Sequence, residues 1–349
     1  VAAQQGSDPM HQSPTVDPSL PVFEADATKT RSQATSAAEH LLDGAPMPVT
    51  SIHTADDDSG YAYGIWGGGS RYKISFHDGA TFVPLLGKDY PQNQPFAWRT
   101  TSAKVGETEL VAHAPRLHYG AERAEYDLGE IVEAYDLRTG DVEQTFILEQ
   151  PIGAGDLVIR GAVTTMLTSN TVAAAHQPLQ FRDAEGRHLI TYGAATAIDA
   201  AGRRQPMTTA FQDGQIVLRL AGGWLAEASY PVVVDPILGP GSQLTGAVRD
   251  EVDVVHDPDS PNESVWIAYS AWSSAVDRDV HMWRFTSSGL IGGQAYADIT
   301  ASWSSQGPSC TYVTGAHRAI LLFDRQLNNG NRGVRYHRHQ YTDLGSNTF

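Results

Sequence analysis

The sequence predicts an all-β chain: an antiparallel β-sandwich or meander module followed by propeller-like β repeats, preceded by a short N-terminal arm with one helix. Three observations lead there. From about Ile52 onward, aromatic and β-branched residues alternate with polar ones and are punctuated by Gly and Asp-Gly pairs. Turn signals at Asp183 to Gly186, Asp199 to Gly202 and Gln212 to Gln215 follow one another too closely for helical crossovers. Beyond residue 239 the chain is self-similar, with Ser264 falling on Arg318 at an offset of 54 residues.

Residues 1–50 form the arm. Up to about residue 26 it is rich in Pro, Ser, Asp and Gln, a composition that cannot bury enough apolar surface to offset its ordering entropy. From Ala27 to Asp43 the run ending in Leu41-Leu42 predicts a helix, with Gly44 placed to cap its C-terminus.

Residues 51–238 form the β-rich module. Arg71 to Phe76 alternates, His77-Asp78-Gly79 supplies a turn, and Thr81-Phe82-Val83 resumes the strand pattern. Ile131 to Leu137 turns at Arg138 to Asp141 into Val142 to Leu148, again as a hairpin. Val232-Val233-Val234 between Pro231 and Pro236 predicts a last, well-buried strand, and Ile237 to Gly241 reads as a domain boundary.

Residues 239–349 hold two repeat units. Ser264 to Tyr269 maps onto Arg318 to Phe323, and Asp279 to Phe285 onto Gly333 to His339. Each unit has one wholly apolar strand and one amphipathic strand, so both faces of its sheet need covering, as stacking blades in a propeller would do. Two units cannot close a ring, which predicts an incomplete array or a sheet completed by another chain.

Composition narrows the function classes. With 24 basic and 40 acidic residues the net charge is -16, and the lysines are Lys29, Lys73, Lys88 and Lys104 only. Such a field repels phosphate, which disfavours nucleic acid and anionic membranes, while divalent cations fit better. The single cysteine, Cys310, excludes an intrachain disulfide, a multi-cysteine zinc site and a CxxC redox pair. No apolar stretch approaches the ~20 residues that cross a bilayer as a helix. The chain opens Val1-Ala2-Ala3 rather than with Met, as it would after removal of a signal peptide, so an extracellular or cell-surface location is expected.

The segments Tyr63 to Trp66, Arg71 to Gly79, Leu86 to Pro91 and Trp98 to Thr100, with Trp224-Leu225 and Tyr230 to Pro236, carry a resemblance. Over roughly residues 61–340 the chain resembles the N-terminal region of large secreted multidomain β-rich surface proteins of planctomycetes and related bacteria. The resemblance implies export and propeller-like repeats after the module. It carries no catalytic signature.

Candidate ligands are few. Asp257, Asp259, Asn262 and Glu263 put four oxygen-bearing side chains within seven residues, the hard-ligand chemistry of calcium, though without EF-hand spacing. Asp56-Asp57-Asp58 reads as a charged loop. His337 and His339 would share one face of a strand and could ligate a metal if a third ligand arrived, but Trp283 and Phe285 occupy the same places in the preceding unit. Asp277, Asp279 and Asp324 could supply paired carboxylates for glycoside hydrolysis. GxSxG, HExxH, P-loop and CxxCH motifs are absent, and Gly67-Gly68-Gly69 precedes no helix and reads as a turn or bulge.

The expectation is a non-catalytic structural, adhesive or assembly protein of the bacterial surface or matrix. Its expected partners are copies of itself or other surface proteins, with polysaccharide as a further candidate; no cofactor is expected beyond the calcium that Asp257, Asp259, Asn262 and Glu263 could hold. The alternative is a carbohydrate-binding or carbohydrate-active propeller.

Overall fold

The computed structural model describes residues 49–54, 65–88, 90–169, 174–175, 177–241, 249–260, 264–286, 289–296, 304–326, 330–341 and 347–348. The expected N-terminal arm and helix, and Asp56 to Asp58, lie outside them. The described chain is all-β and antiparallel, with one five-residue helix at Gly222–Ala226. None of its three sheets closes on itself.

The first sheet runs Thr50–Thr54, Ile65–Gly68, Tyr72–Phe76, Ala80–Pro84, Phe96–Val105, Leu157–Thr164, Gln215–Leu220, Thr208–Gln212 and Ala174–Ala175, with Thr108–Glu109 beside Phe96–Val105. In the second, Val142–Leu148 is central. Val132–Leu137, Arg123–Gly129 and Val111–Tyr119 extend from one side of it. On its other side Val232–Asp235 and Ile237–Pro240 share the edge, one leading to Thr196–Asp199 and the other to His188–Tyr192. Within the segment read as a boundary, Ile237 to Gly241, residues Ile237–Pro240 form a strand: Pro236 separates it from Val232–Asp235, and Leu238 and Gly239 find partners on either side.

These two sheets face each other across one aromatic core. Trp98 of the first stacks on Tyr192 of the second at 5.6 Å between ring centroids, and Phe96 meets Phe181 edge-on at 4.9 Å. Such pairs contribute about 1 kcal/mol each beyond the area they bury.

The hairpin turns form for local reasons. Asp183-Ala184-Glu185-Gly186-Arg187 and Asp199-Ala200-Ala201-Gly202-Arg203 repeat one device, in which the Asp carboxylate accepts from the backbone N–H groups two and four residues on. Gly186 and Gly202 take φ of 78° and 79°, and each following Arg closes the turn with an Nε donation to the same Asp. At Asp213-Gly214 both residues have positive φ, 52° and 72°, as a two-residue hairpin needs.

The third sheet consists of two four-stranded antiparallel units. The first contains Arg249–Asp257, Ser264–Ser274, Asp277–Thr286 and Gly289–Tyr296; the second contains Ser304–Val313, Arg318–Gln326, Arg332–Tyr341 and Asn347–Thr348. A lone parallel bridge, Arg278 to Ser304, joins them within the sheet.

Their main contact is face to face. Trp266, Ala268, Val280 and Met282 of the first unit share a core with Ala319, Leu321 and Phe323 of the second. Acidic side chains of the first strand and the turn after it clasp the next unit's backbone: Glu251 accepts from Gly307 N at 2.7 Å, Asp253 from Cys310 N at 2.9 Å and Asp259 from Gly315 N at 2.6 Å. The first unit's other face buries Ile267, Tyr269, Ala271, Trp283 and Phe285.

Candidate functional site

The largest concentration of buried charge lies where the module meets the first repeat unit. Lys73, on the Tyr72–Phe76 strand, is 4% exposed although strand alternation places it opposite the core-facing Tyr72, Ile74 and Phe76. Its outer face is covered by the turn between Ser264–Ser274 and Asp277–Thr286. Leu86 and Gly87 both donate backbone N–H to Ser273 O, at 2.9 and 3.2 Å, and Ala275 N donates to Tyr90 O at 2.5 Å.

This docking carries Asp277 and Asp279, 0% and 1% exposed, onto the lysine. Lys73 Nζ donates to Asp277 Oδ2 at 2.8 Å and lies 3.1 and 3.4 Å from Oδ2 and Oδ1 of Asp279. Ser273 Oγ donates to Asp279 Oδ2 at 2.6 Å, and Asn93 Nδ2 donates to Asp277 Oδ2. Asp277 Oδ1 and Asn93 Oδ1 are buried without a hydrogen-bond donor among the described residues. Burial pushes the Asp277 carboxyl up to about 7; Lys73 opposes the rise and Asp279 adds to it.

The structure therefore brings together two of the three carboxylates that sequence singled out for glycoside hydrolysis. Asp324 is elsewhere, on the second unit, 3.8 Å from Arg332. Asp277 and Asp279 reach no solvent, so a sugar cannot come between them. Lys73 and Asn93 were not legible as site residues, because the strand that carries Lys73 reads as amphipathic and only the tertiary docking buries its outer face.

The candidate calcium ligands are placed differently. Asp257 is fully buried against a cation supplied by the protein: Arg284 Nη2 lies 3.1 Å from its Oδ2, and Ser264 Oγ donates to the same oxygen at 2.9 Å. Asp259 is turned toward the Gly315 backbone. Asn262 and Glu263 lie outside the described residues. His337 and His339 stand opposite Leu321 and Ala319 in the strand register. Among the described residues no three His, Cys, Asp or Glu side chains converge as a metal site, and no described helix is long and apolar enough to cross a membrane.

A further buried carboxyl sits inside the module. Glu133 accepts from Thr100 at 2.7 Å, Tyr135 at 2.5 Å and Gln144 at 2.7 Å, and Tyr192 in turn donates to Gln144 at 2.8 Å. Burial holds its pKa above the ordinary carboxylate value, against the pull of these donors.

Two surface features of the described residues add to these buried groups. A groove of about 570 Å³ on the first sheet is lined by Ser102, Lys104, Glu107, Asp156, Arg160 and Arg219, among others. Among the described residues, three on the face of the second unit turned away from the first are exposed: Leu322, Val334 and Tyr336, at 41%, 72% and 60%. A scan against protein-family models finds no match to this chain, and a search of curated proteins finds none either.

Proposed function

We propose that this chain is a non-catalytic structural or assembly protein of the bacterial surface or matrix, acting through a one-way stack of β units. The uncovered face of the second unit carries the reading. Ser264–Ser274 and Arg318–Gln326 are equivalent strands, and Trp266 and Ala268 correspond to Ile320 and Leu322. In the first unit these positions are buried by the second; in the second unit Leu322, Val334 and Tyr336 face solvent. An apolar sheet face that is covered in one copy and open in the next is a surface suited to association.

The face-to-face stacking of four-stranded antiparallel units also supports propeller-like blades, and the resemblance over residues 61–340 supports export. The open face spans three strands of about 30 Å at about 4.8 Å spacing, on the order of 400 Å². A stable two-protein interface needs roughly 800 Å² per partner, so a single contact through this face is transient and lasting assembly needs several. Self-association and other surface proteins are the partners this reading names.

Cell fractionation with negative-stain imaging of native material tests it. Material in the surface or matrix fraction, in multi-subunit particles, is expected; a monomer confined to the cytoplasm would overturn the reading. The groove beside Lys104, Arg160 and Arg219 favours a second reading, glycan binding, in which arginines hold acidic sugar groups and Glu107 and Asp156 accept from hydroxyls. Retention on acidic but not neutral polysaccharide columns, lost in Arg160→Ala, is its expected signature.

A further inference from the structure

Lys73 and the two carboxylates that enclose it have the makings of a covalent bond. We propose that Lys73 and Asp279 form an intramolecular isopeptide cross-link, Nζ to Cγ, that joins the module to the first repeat unit, with Asp277 as the proton-transfer group. This goes beyond the assembly reading and does not depend on it.

The geometry selects the reacting partners. Nζ straddles the Asp279 carboxyl, within 3.4 Å of both its oxygens, whereas it meets Asp277 through Oδ2 alone. Ser273 donates to Asp279 Oδ2 at 2.6 Å, drawing electron density from the carbon to be attacked. Asp277 Oδ2 touches the amine, and its other oxygen has no donor among the described residues, so it can carry a proton between amine and leaving oxygen. A carboxyl pushed up to about 7 is present in both protonation states near neutrality, as such a carrier must be.

The step balances without a co-reactant. Lys73 gives a proton to Asp277, and the Nζ lone pair attacks Cγ of Asp279 to form the N–C bond. The C–O bond to one oxygen then breaks, and that oxygen leaves as water with protons from the amine, the last passing through Asp277. Ammonium and carboxylate become an amide and one water, with no change of oxidation state. The energetics favour this in a dry site. One lysine and two carboxylates, all ionised, would leave an uncompensated negative charge in a place that water does not reach. The product leaves a neutral amide beside a carboxyl that can stay protonated. The groups are held together by backbone hydrogen bonds from Leu86, Gly87 and Ala275, so proximity costs no further ordering at the time of reaction.

Intact mass of the denatured purified chain reads the proposal directly. The expected mass is below the sequence mass by one water, about 18 Da, and fragmentation of a protease digest finds the Lys73 peptide joined to the Asp279 peptide. Lys73→Arg and Asp279→Ala should both restore the full sequence mass, and Asp277→Ala, which keeps both reacting groups, should leave most of the chain unlinked. An unmodified wild-type mass overturns the proposal whatever the variants do. So does a loss of about 17 Da with Lys73 joined to Asn93, which would make the amide the acceptor and ammonia the leaving group. A one-water loss mapped to Asp277, or to any pair other than Lys73 and Asp279, overturns it equally.

Discussion

At the scale of residues, two buried carboxyls show how packing sets protonation. Glu133 has three donors aimed at it, yet desolvation still holds its pKa above the usual 4.5. A group whose folded pKa is raised stabilises the fold fully below its unfolded value, and this contribution is lost as pH rises through the folded value. Glu133→Gln stays neutral throughout and lacks that loss. Its Tm relative to wild type should therefore improve between about pH 4 and pH 8, and a constant difference across that range would refute the assignment. Asp199 has the opposite sign. Burial pushes its carboxyl up, but donations from the Ser229 and Arg203 backbone and the Arg203 guanidinium outweigh this and hold it below its ordinary value. Its contribution is present above the unfolded value of 3.8 and lost as pH falls.

At the scale of elements, the parts legible in the sequence were those whose cause is local. The turns at Asp183 and Asp199 follow from Asx hydrogen bonding and positive-φ glycine, that at Asp213 from positive φ at Asp213 and Gly214, and they stand where the residues placed them. Leu137 pairs with Val142 across the hairpin expected there. What could not be read is whatever depends on a distant partner. Lys73 sits on a strand that alternates as a one-sided strand does, but all five residues of Tyr72–Phe76 are buried because a hairpin some 200 residues later covers the outer side. The strand Ile237–Pro240, paired on one side with Val142–Leu148 and on the other with His188–Tyr192, is hidden behind its own prolines and glycines. Gly161 shows the same dependence: a Cβ there would lie 2.1 Å from the Trp98 ring, which crosses its strand to stack on Tyr192. Gly161→Ala should destabilise the module by about 1–3 kcal/mol in chemical denaturation, since the indole must leave its stack. A neutral substitution would show that Trp98 is not held there.

At the scale of the whole molecule, the module and the two units form a directional series. Lys73 and its partners join the module to the first unit, the first unit's Trp266 and Met282 pack against the second, and Leu322, Val334 and Tyr336 lie on the second unit's other face, exposed among the described residues. Sequence showed the repeat but not the direction, because which face is covered depends on how units stack and not on strand pattern. Asp277 and Asp279 illustrate the difference: as residue types they suggest hydrolysis, and in place they are buried against Lys73 and closed to solvent.

The central claim, that the open face of the second unit mediates association, is tested most directly by sedimentation velocity on the chain from ~1 µM to ~500 µM. The account predicts a sedimentation coefficient that climbs with concentration for wild type and stays at the monomer value for Tyr336→Glu, with both proteins equally folded by circular dichroism. A wild-type chain that remains monomeric throughout, or a Tyr336→Glu chain that associates as strongly, would contradict it.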